Sequence, residues 1–143
     1  MTITIINGPN LNLLGRRKPE IYGSEEFSET LRKIRDKFPD TDIRYFQSNS
    51  EGEIIDLIQR ENTDLSVLGI VLNPGAYAHY SYAIADAVAD SAIPVVEVHI
   101  SNIHAREAFR ATSVTARAAE AVITGCGRKG YEMAIDYIRK SEI

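Results

Sequence analysis

The sequence has little cysteine and no long apolar run. Cys126 is the one cysteine among 143 residues, so no disulfide can form within the chain and no second thiol is present for a cysteine-rich metal site. No apolar run approaches the roughly 20 residues that a membrane-spanning helix needs. The start of the chain lacks the basic, apolar and small-residue segments of a secretory signal. We therefore expect a cytoplasmic protein without a membrane segment.

Positively charged residues are fewer than negatively charged ones. The chain carries 16 Lys and Arg against 20 Asp and Glu, a formal net charge of −4, and no basic stripe is left for a nucleic-acid partner. The three histidines, His79, His99 and His104, form no H-E-x-x-H motif, so they predict no metal site. A composition of 44% hydrophobic and 25% charged residues is typical of one globular domain, here residues 1–143.

Short apolar runs alternate with helical periodicities along the chain. Strands are predicted at residues 3–6, 43–46, 67–72, 95–99 and 121–124. Helices are predicted from a cap at Ser24 to Pro39, from a capping box at Ser50 and Glu53 to about 62, over 79–91, around 104–108 and over 129–140. The third helix is expected to bury Tyr80 and Ala83. Strict alternation indicates an α/β fold: a flavodoxin-like, open, doubly wound parallel sheet of order 2-1-3-4-5.

The first strand is followed by a long loop, residues 7–23, which is rich in asparagine, glycine and positive charge. Loops of this length at a strand end are more often active-site lids than spacers. In the predicted order, the carboxyl ends of the first and third strands open a crevice. The sequence therefore predicts that residues 10–22, 73–79 and 99–110 converge on one pocket.

Tyr22 ends this loop, and Arg17 precedes it by five positions. A phenol with a pKa of about 10 is a poor base at neutral pH, so a lone tyrosine would be interpreted as a packing residue. A guanidinium beside the phenol favours the phenolate and cannot lose its own proton. The pair therefore predicts a catalytic base. The alternative is that Arg16, Arg17 and Lys18 form a solvated basic tip.

Glu97 and His99 project from the same face of the fourth strand because they lie two residues apart. A carboxylate beside an imidazole orients the ring and favours its protonated form, which suits a general acid. A plain surface ion pair is an equally good interpretation of these two residues alone. Arg106 and Arg110 follow in the next loop and, with backbone N–H groups near Ser101, indicate an anionic ligand.

Two other classes of protein share the predicted architecture. A G-x-G-x-x-G pattern at residues 125–130 lies in the last unit rather than the first, so it predicts a tight turn and not a dinucleotide site. A flavin or nucleotide carrier would need a glycine-rich phosphate loop after the first strand, and no such phosphate-loop pattern is present there. A phospho-receiver would need an acidic cluster there and an aspartate after the third strand, where the chain has Asn-Gly-Pro-Asn and Asn-Pro-Gly.

Specific motifs occupy the three converging loops. They are Asn-Gly-Pro-Asn-Leu-Asn-Leu-Leu-Gly at 7–15 with Arg17, Pro19 and Tyr22-Gly23; Asn-Pro-Gly-Ala-Tyr at 73–77 with His79 and Ser81; and Glu-Val-His-Ile-Ser-Asn at 97–102 with His-Ala-Arg-Glu at 104–107 and Phe109-Arg110. In this order they resemble the type II 3-dehydroquinate dehydratases along the whole chain. The resemblance implies loss of water from 3-dehydroquinate through an enolate, in the shikimate route or in quinate breakdown, without a metal, a Schiff base or a cofactor.

The resemblance also implies roles for individual residues. Tyr22 would remove the C2 proton with Arg17 stabilising the phenolate. His99, held by Glu97, would protonate the departing C1 hydroxyl. A water would be positioned against the enolate oxygen by Asn10. The residues implied to hold the substrate are Asn73, His79, Asp86 and Arg110 at the ring substituents, and Ile100 and Ser101 through backbone N–H groups to the carboxylate.

The family further implies a homododecamer built as four trimers, in which Asp86 reaches the site of a neighbouring subunit. The chain departs from the common family pattern at three positions. Lys18 stands where Glu is common, Ala78 where Thr is usual and Ala85 where Arg is frequent. None of these positions has an implied chemical role, but Ala85 leaves the contacts of its neighbour Asp86 open.

Overall fold

The computed structural model describes residues 1–140, which form a parallel sheet with helices on both faces. The strands are β1 (Thr2–Asn7), β2 (Asp42–Gln47), β3 (Val67–Asn73), β4 (Val95–His99) and β5 (Ala121–Thr124). They lie in the order β2-β1-β3-β4-β5, and every neighbouring pair is parallel. The predicted α/β fold and strand order are therefore confirmed, and all five strands end at the same edge of the sheet.

Five α-helices connect or follow these strands within residues 1–140. They are α1 (Pro19–Tyr22), α2 (Phe27–Lys37), α3 (Glu51–Thr63), α4 (Tyr82–Ala89) and α5 (Lys129–Lys140). Short 3₁₀ turns follow β1, β3 and β4, at Leu11–Leu13, Gly75–His79, Ile103–Ala105 and Ala108–Ala111. The last two turns replace the single short helix that was predicted around residues 104–108, so the loop after β4 is less regular than expected.

The central strands are apolar on both faces because helices cover both. Ile5, Val71 and Val96 pack against the layer formed by α2 and α5, whereas Ile6 and Ile70 face α3 and α4. All five side chains are fully buried. A strand that is buried on both sides has no need for polar alternation, which explains the continuous apolar runs of the sequence.

The start of α2 differs from the prediction. Ser24 was the expected cap, but the chain remains extended through Glu26, and the helix begins at Phe27. A carboxylate at this position lies next to the positive end of the helix dipole and is favourable there. The start of α3 agrees with the prediction, because the Oγ of Ser50 accepts a hydrogen bond from the backbone N–H of Glu53 at 3.2 Å.

The helix that was predicted over residues 79–91 is shorter at both ends, and α4 begins only after Ser81. The Oγ of Ser81 accepts a hydrogen bond from the N–H of Ile84 at 3.0 Å and so caps the helix. The buried face of this helix consists of Ile84, Ala87 and Val88. Tyr80 lies before the helix and is 60% exposed, and Ala83 lies on its exposed side, so the prediction that both are buried was wrong.

The loops after β1 and β3 touch at Gly8. A Cβ atom added to Gly8 would lie 2.6 Å from the carbonyl oxygen of Pro74, closer than real Cβ contacts. The N–H of Gly8 donates to the carbonyl oxygen of Asn73 at 2.7 Å. Glycine is therefore required where these two loops meet, at the floor of the crevice that the strand order creates.

We expect Gly8→Ala to lower the free energy of unfolding by roughly 1–3 kcal/mol, because one of the two loops must shift to admit the methyl group. Gly52→Ala is the matched control. Gly52 lies inside α3, and its added Cβ would have 4.0 Å to the nearest atom, so this substitution should instead stabilise by roughly 0.5–1 kcal/mol. Urea unfolding measures both changes. Equal stabilities for the two variants would contradict the close approach at Gly8.

Candidate active site

A cleft of about 470 Å³, part of it open to solvent, lies beyond the carboxyl ends of β1, β3 and β4. This is the point where the strand order changes direction, and ligands of open α/β sheets bind at such points. The three loops that were predicted to converge all contribute to its wall. The predicted site residues that line the cleft are Asn10, Arg17, Tyr22, Asn73, His79, His99, Ile100, Ser101 and Arg110.

Tyr22 is the last residue of α1, the four-residue helix inside the long loop. Pro19 begins this helix, where its fixed φ suits the first turn. Gly23, with a φ of 82°, ends the helix. The Tyr22 side chain is 8% exposed, packs against the core on the α2 and α5 side and lines the cleft. A short, bounded helix therefore carries the phenol into the cleft wall.

Two guanidinium groups flank this phenol. The Nη1 of Arg106 donates to the Tyr22 hydroxyl oxygen at 2.8 Å and to the Oγ of Ser101 at 3.2 Å. The Cζ atoms of Arg17 and Arg106 lie 5.2 Å and 5.3 Å from the centroid of the Tyr22 ring. A guanidinium N–H that points at a phenol oxygen stabilises negative charge there. Sequence reasoning named Arg17 for this contact and treated Arg106 only as nearby positive charge.

Arg106 has one terminal nitrogen to spare. Its Nη2 is buried and has no hydrogen-bond partner among residues 1–140. The side chain is 11% exposed, and the Oε2 of Glu107 lies 3.9 Å from its Nε. A buried cationic N–H without an acceptor is costly, and native structures rarely leave one unless a ligand or water supplies the acceptor. Arg106 thus offers a donor to an anion in the cleft.

The pair of Glu97 and His99 is buried at the end of β4. The Nε2 of His99 lies 2.8 Å from the Oε2 of Glu97, and the two residues are 5% and 0% exposed. This burial excludes a surface ion pair. Glu97 accepts two further hydrogen bonds, from the Oγ of Ser113 to Oε2 at 2.8 Å and from the Oγ1 of Thr115 to Oε1. Both carboxylate oxygens are therefore held, and the carboxylate in turn holds the ring.

His79 lies beside His99 in the cleft wall. Its Nδ1 is 2.8 Å from the carbonyl oxygen of Thr112, so Nδ1 carries a proton and donates it to this bond. Burial lowers the pKa of His79, and the neighbouring His99 and Arg110 lower it further. The hydrogen bond to the Thr112 carbonyl oxygen raises this pKa but does not outweigh burial. The two imidazole rings stack with centroids 6.4 Å apart. At neutral pH, His79 is therefore an uncharged ring whose Nε2 is an acceptor.

Asn73 is fixed from beneath by a buried tyrosine. Its Nδ2 donates to the Tyr131 hydroxyl oxygen at 2.9 Å, and its Oδ1 accepts from the N–H of Gly75 at 3.1 Å. The Tyr131 hydroxyl donates to the Oδ1 of Asn7 at 2.8 Å. Burial raises the pKa of Tyr131 far above neutrality, so this phenol remains uncharged. Only a helix over 129–140 was predicted here, with no part for Tyr131 in the cleft, so its support of Asn73 was missed.

Of the remaining predicted residues, Asn10 and Arg110 line the cleft and Asp86 does not. Asn10 has a φ of 68° and donates its backbone N–H to the Oδ1 of Asn49 at 3.0 Å. The Nε of Arg110 donates to Glu107 at 2.5 Å. Asp86 lies on α4 with its side chain exposed, and it is not among the residues that line the cleft of its own chain.

Within residues 1–140, no group of three or more His, Cys, Asp or Glu side chains is arranged to hold a metal ion. None of the helices in the same range has the length and hydrophobicity to span a bilayer. What the cleft brings together is a phenol, two imidazoles and several guanidinium groups. These groups are suited to proton transfer to and from an anionic ligand.

Comparisons with known proteins point to one family. A family model described as dehydroquinase class II matches residues 1–139. A 3-dehydroquinate dehydratase from Thermotoga neapolitana is 49% identical over 142 residues, which are 98% of this chain and 95% of the relative. The relative from Halalkalibacterium halodurans is 52% identical over 139 residues, 94% of this chain and 92% of that one. The crystal structure of a type II dehydroquinase from Butyrivibrio crossotus matches with a TM-score of 0.94 and 48% identity, covering 98% of both chains. The chain therefore belongs to the class II dehydroquinase family.

Proposed function

We infer that this chain is a type II 3-dehydroquinate dehydratase, a lyase of the shikimate pathway that removes water from 3-dehydroquinate. The family works without a metal ion or a Schiff base. The assignment of this reaction to the cleft rests on one observation. The cleft holds a phenol bound by a guanidinium and an imidazole bound by a buried carboxylate, and these groups come from parts of the chain that are far apart in the sequence.

Tyr22 is the base of the proposed reaction. The proton on C2 of the substrate is acidic because it lies next to the C3 carbonyl, and a phenolate can remove it. Arg106 donates to the phenol oxygen at 2.8 Å and the Arg17 guanidinium lies beside the ring, which supports the ionised form of the base. The electrons of the C2–H bond move to the carbonyl oxygen and give an enolate. Asn10 positions a water against this oxygen and so stabilises its charge.

His99 is the acid of the proposed reaction. The enolate re-forms the carbonyl, the C1–O bond breaks, and His99 gives its proton to the departing hydroxyl, which leaves as water. The product has a C1=C2 double bond conjugated with the C3 carbonyl. Glu97 holds the ring at 2.8 Å throughout this step. The proton on Tyr22 then returns to His99 through solvent, and both groups are ready for the next turnover.

The rest of the cleft holds the substrate. Backbone N–H groups of Ile100 and Ser101 bind its carboxylate, and the side chains of Asn73, His79 and Arg110 contact the ring substituents. The amide of Asn73 is fixed by its bonds to Tyr131 and Gly75. Its second Nδ2–H bond therefore has a defined direction, which supports a contact with the substrate.

We also propose a cytoplasmic homododecamer built as four trimers, in which Asp86 enters the cleft of a neighbouring subunit. Asp86 is exposed and lies outside the cleft of its own chain, which supports a role across an interface. Three large aromatic side chains are also exposed: Tyr80 by 60% and Tyr82 by 72% at the start of α4, and Phe109 by 59% against His79. Such side chains commonly mark contact surfaces between proteins.

Purified protein mixed with 3-dehydroquinate should develop the ultraviolet absorbance of a conjugated enone. The rate should not change after treatment with EDTA, and borohydride added with substrate should leave the protein active because no lysine imine forms. A folded protein that gives no absorbance change would overturn the assignment. Covalent labelling of a lysine by borohydride would indicate imine chemistry instead.

Tyr22→Phe and His99→Ala should each lower kcat by about 10²- to 10⁴-fold, the usual contribution of a positioned acid or base, with KM changed only a few-fold. Tyr137→Phe is the matched control for the loss of a phenol hydroxyl, because Tyr137 is 42% exposed on α5. Steady-state kinetics with the enone signal measures all three. A kcat near that of the unmodified protein in either cleft variant is incompatible with the assigned roles.

Native mass spectrometry should give about 190 kDa, the mass of twelve copies of a 15.9 kDa chain. Asp86→Ala should preserve this mass and weaken turnover, since the side chain is proposed to act in a neighbouring cleft. A monomer with full activity and no effect of Asp86→Ala would contradict the shared site.

A further inference from the structure

Arg128 lies in the tight turn between β5 and α5, outside the cleft and with no part in the reaction proposed above. The turn is the one that the glycine pattern at residues 125–130 predicted. The Nη2 and Nε of Arg128 donate to the carbonyl oxygen of Tyr22 at 3.0 Å and 3.3 Å. The two residues are 106 positions apart in the sequence.

We propose that Arg128 is a positioning residue that fixes the main chain of Tyr22 and thereby directs its phenol into the cleft. This role rests on the proposed function of Tyr22 as the base. It differs from the role of Arg106, which binds the other end of the same residue at the hydroxyl. Tyr22 is thus held at both ends by arginines from two separate loops.

The helix that carries Tyr22 needs such support. α1 has four residues, and its closing hydrogen bonds run from Tyr22 N–H to Lys18 at 3.1 Å and from Gly23 N–H to Pro19 at 2.8 Å. A single helical turn is unstable by itself, because nucleation fixes several dihedral angles for one or two hydrogen bonds. The last carbonyls of a helix also lack partners within it. A guanidinium that donates twice to the Tyr22 carbonyl supplies the missing partner, and its positive charge suits this end of the helix.

Arg128 is itself held in place by side chains at the start of α2. Its Nη1 donates to the Oγ1 of Thr30 at 2.8 Å, and the Thr30 hydroxyl donates to the Oε2 of Glu25 at 2.6 Å. The Oε1 of Glu25 binds the Nζ of Lys33 at 2.6 Å. The Arg128 side chain is 14% exposed. The guanidinium is therefore fixed against α2 at one nitrogen while its other two bind Tyr22, which suits a rigid support.

The absence of Arg128 from the residues that line the cleft makes its role separable from substrate binding. A group that binds the substrate in its ground state raises KM when it is removed. A group that acts only through the placement of Tyr22 should change kcat alone, because small displacements of a reacting group are costly to the rate.

The test uses the full chain with Arg128→Met, which keeps the apolar stem and removes every donor, and Arg128→Lys, which keeps the charge without the planar fork. Arg139→Met is the control, since Arg139 lies on the helix that follows the turn, α5, and pairs with Asp40. We expect Arg128→Met to lower kcat about tenfold with KM within about threefold, and Arg128→Lys to recover part of this loss. Arg139→Met should match the unmodified protein.

Hydrogen exchange of the Tyr22 and Gly23 amides provides a second measurement that does not depend on turnover. Both should exchange about tenfold faster in Arg128→Met, while amides of β1 and β3 keep their protection. Unchanged kcat and unchanged exchange would overturn the proposal, and so would equal loss of protection throughout the sheet. If the unmodified protein gives no enone, the proposed function fails, whereas the exchange of these two amides still decides whether Arg128 holds Tyr22.

Discussion

The chemistry of this chain depends on five strands that all run in the same direction. Parallel strands deliver the loops that follow them to one edge of the sheet, and β1, β3 and β4 are neighbours in the sheet. Tyr22 and Arg106 are 84 positions apart, yet their side chains meet at 2.8 Å for this reason. Gly8 then lets two of the loops lie against each other without a side chain between them. The position of the cleft is therefore determined mainly by the direction and order of the strands, and individual contacts then shape it.

Features that are encoded locally could be predicted from the sequence. The positions of β4, β5 and α5 agree with their apolar patterns residue for residue, because burial on a sheet or a helix face leaves a short period in the chain. The start of α4 could not be predicted in this way. Ser81 caps that helix while its hydroxyl also binds Glu51 at 2.6 Å, a contact with another helix that no local pattern encodes.

The candidate site divides in the same manner. Tyr22 and the pair of Glu97 and His99 stand out because their chemistry is visible within a few residues of sequence. The groups that hold them come from elsewhere in the chain: Arg106 and Arg128 bind Tyr22, Ser113 and Thr115 bind Glu97, and Tyr131 binds Asn73. Single hydroxyl or guanidinium groups in loops leave no periodic signal. Only the path of the folded chain reveals which of them turn inward.

The burial of Glu97 makes its hydrogen-bond partners indispensable. The buried carboxylate of Glu97 has lost its hydration, and its partners Ser113 and Thr115 lie in the segment that joins β4 to the edge strand β5. Loss of these two hydroxyl groups would leave a poorly solvated carboxylate and a less restrained imidazole. The segment that leads into the edge strand thus also orders the proposed acid, so the same few side chains serve both the packing of the sheet edge and the proposed chemistry.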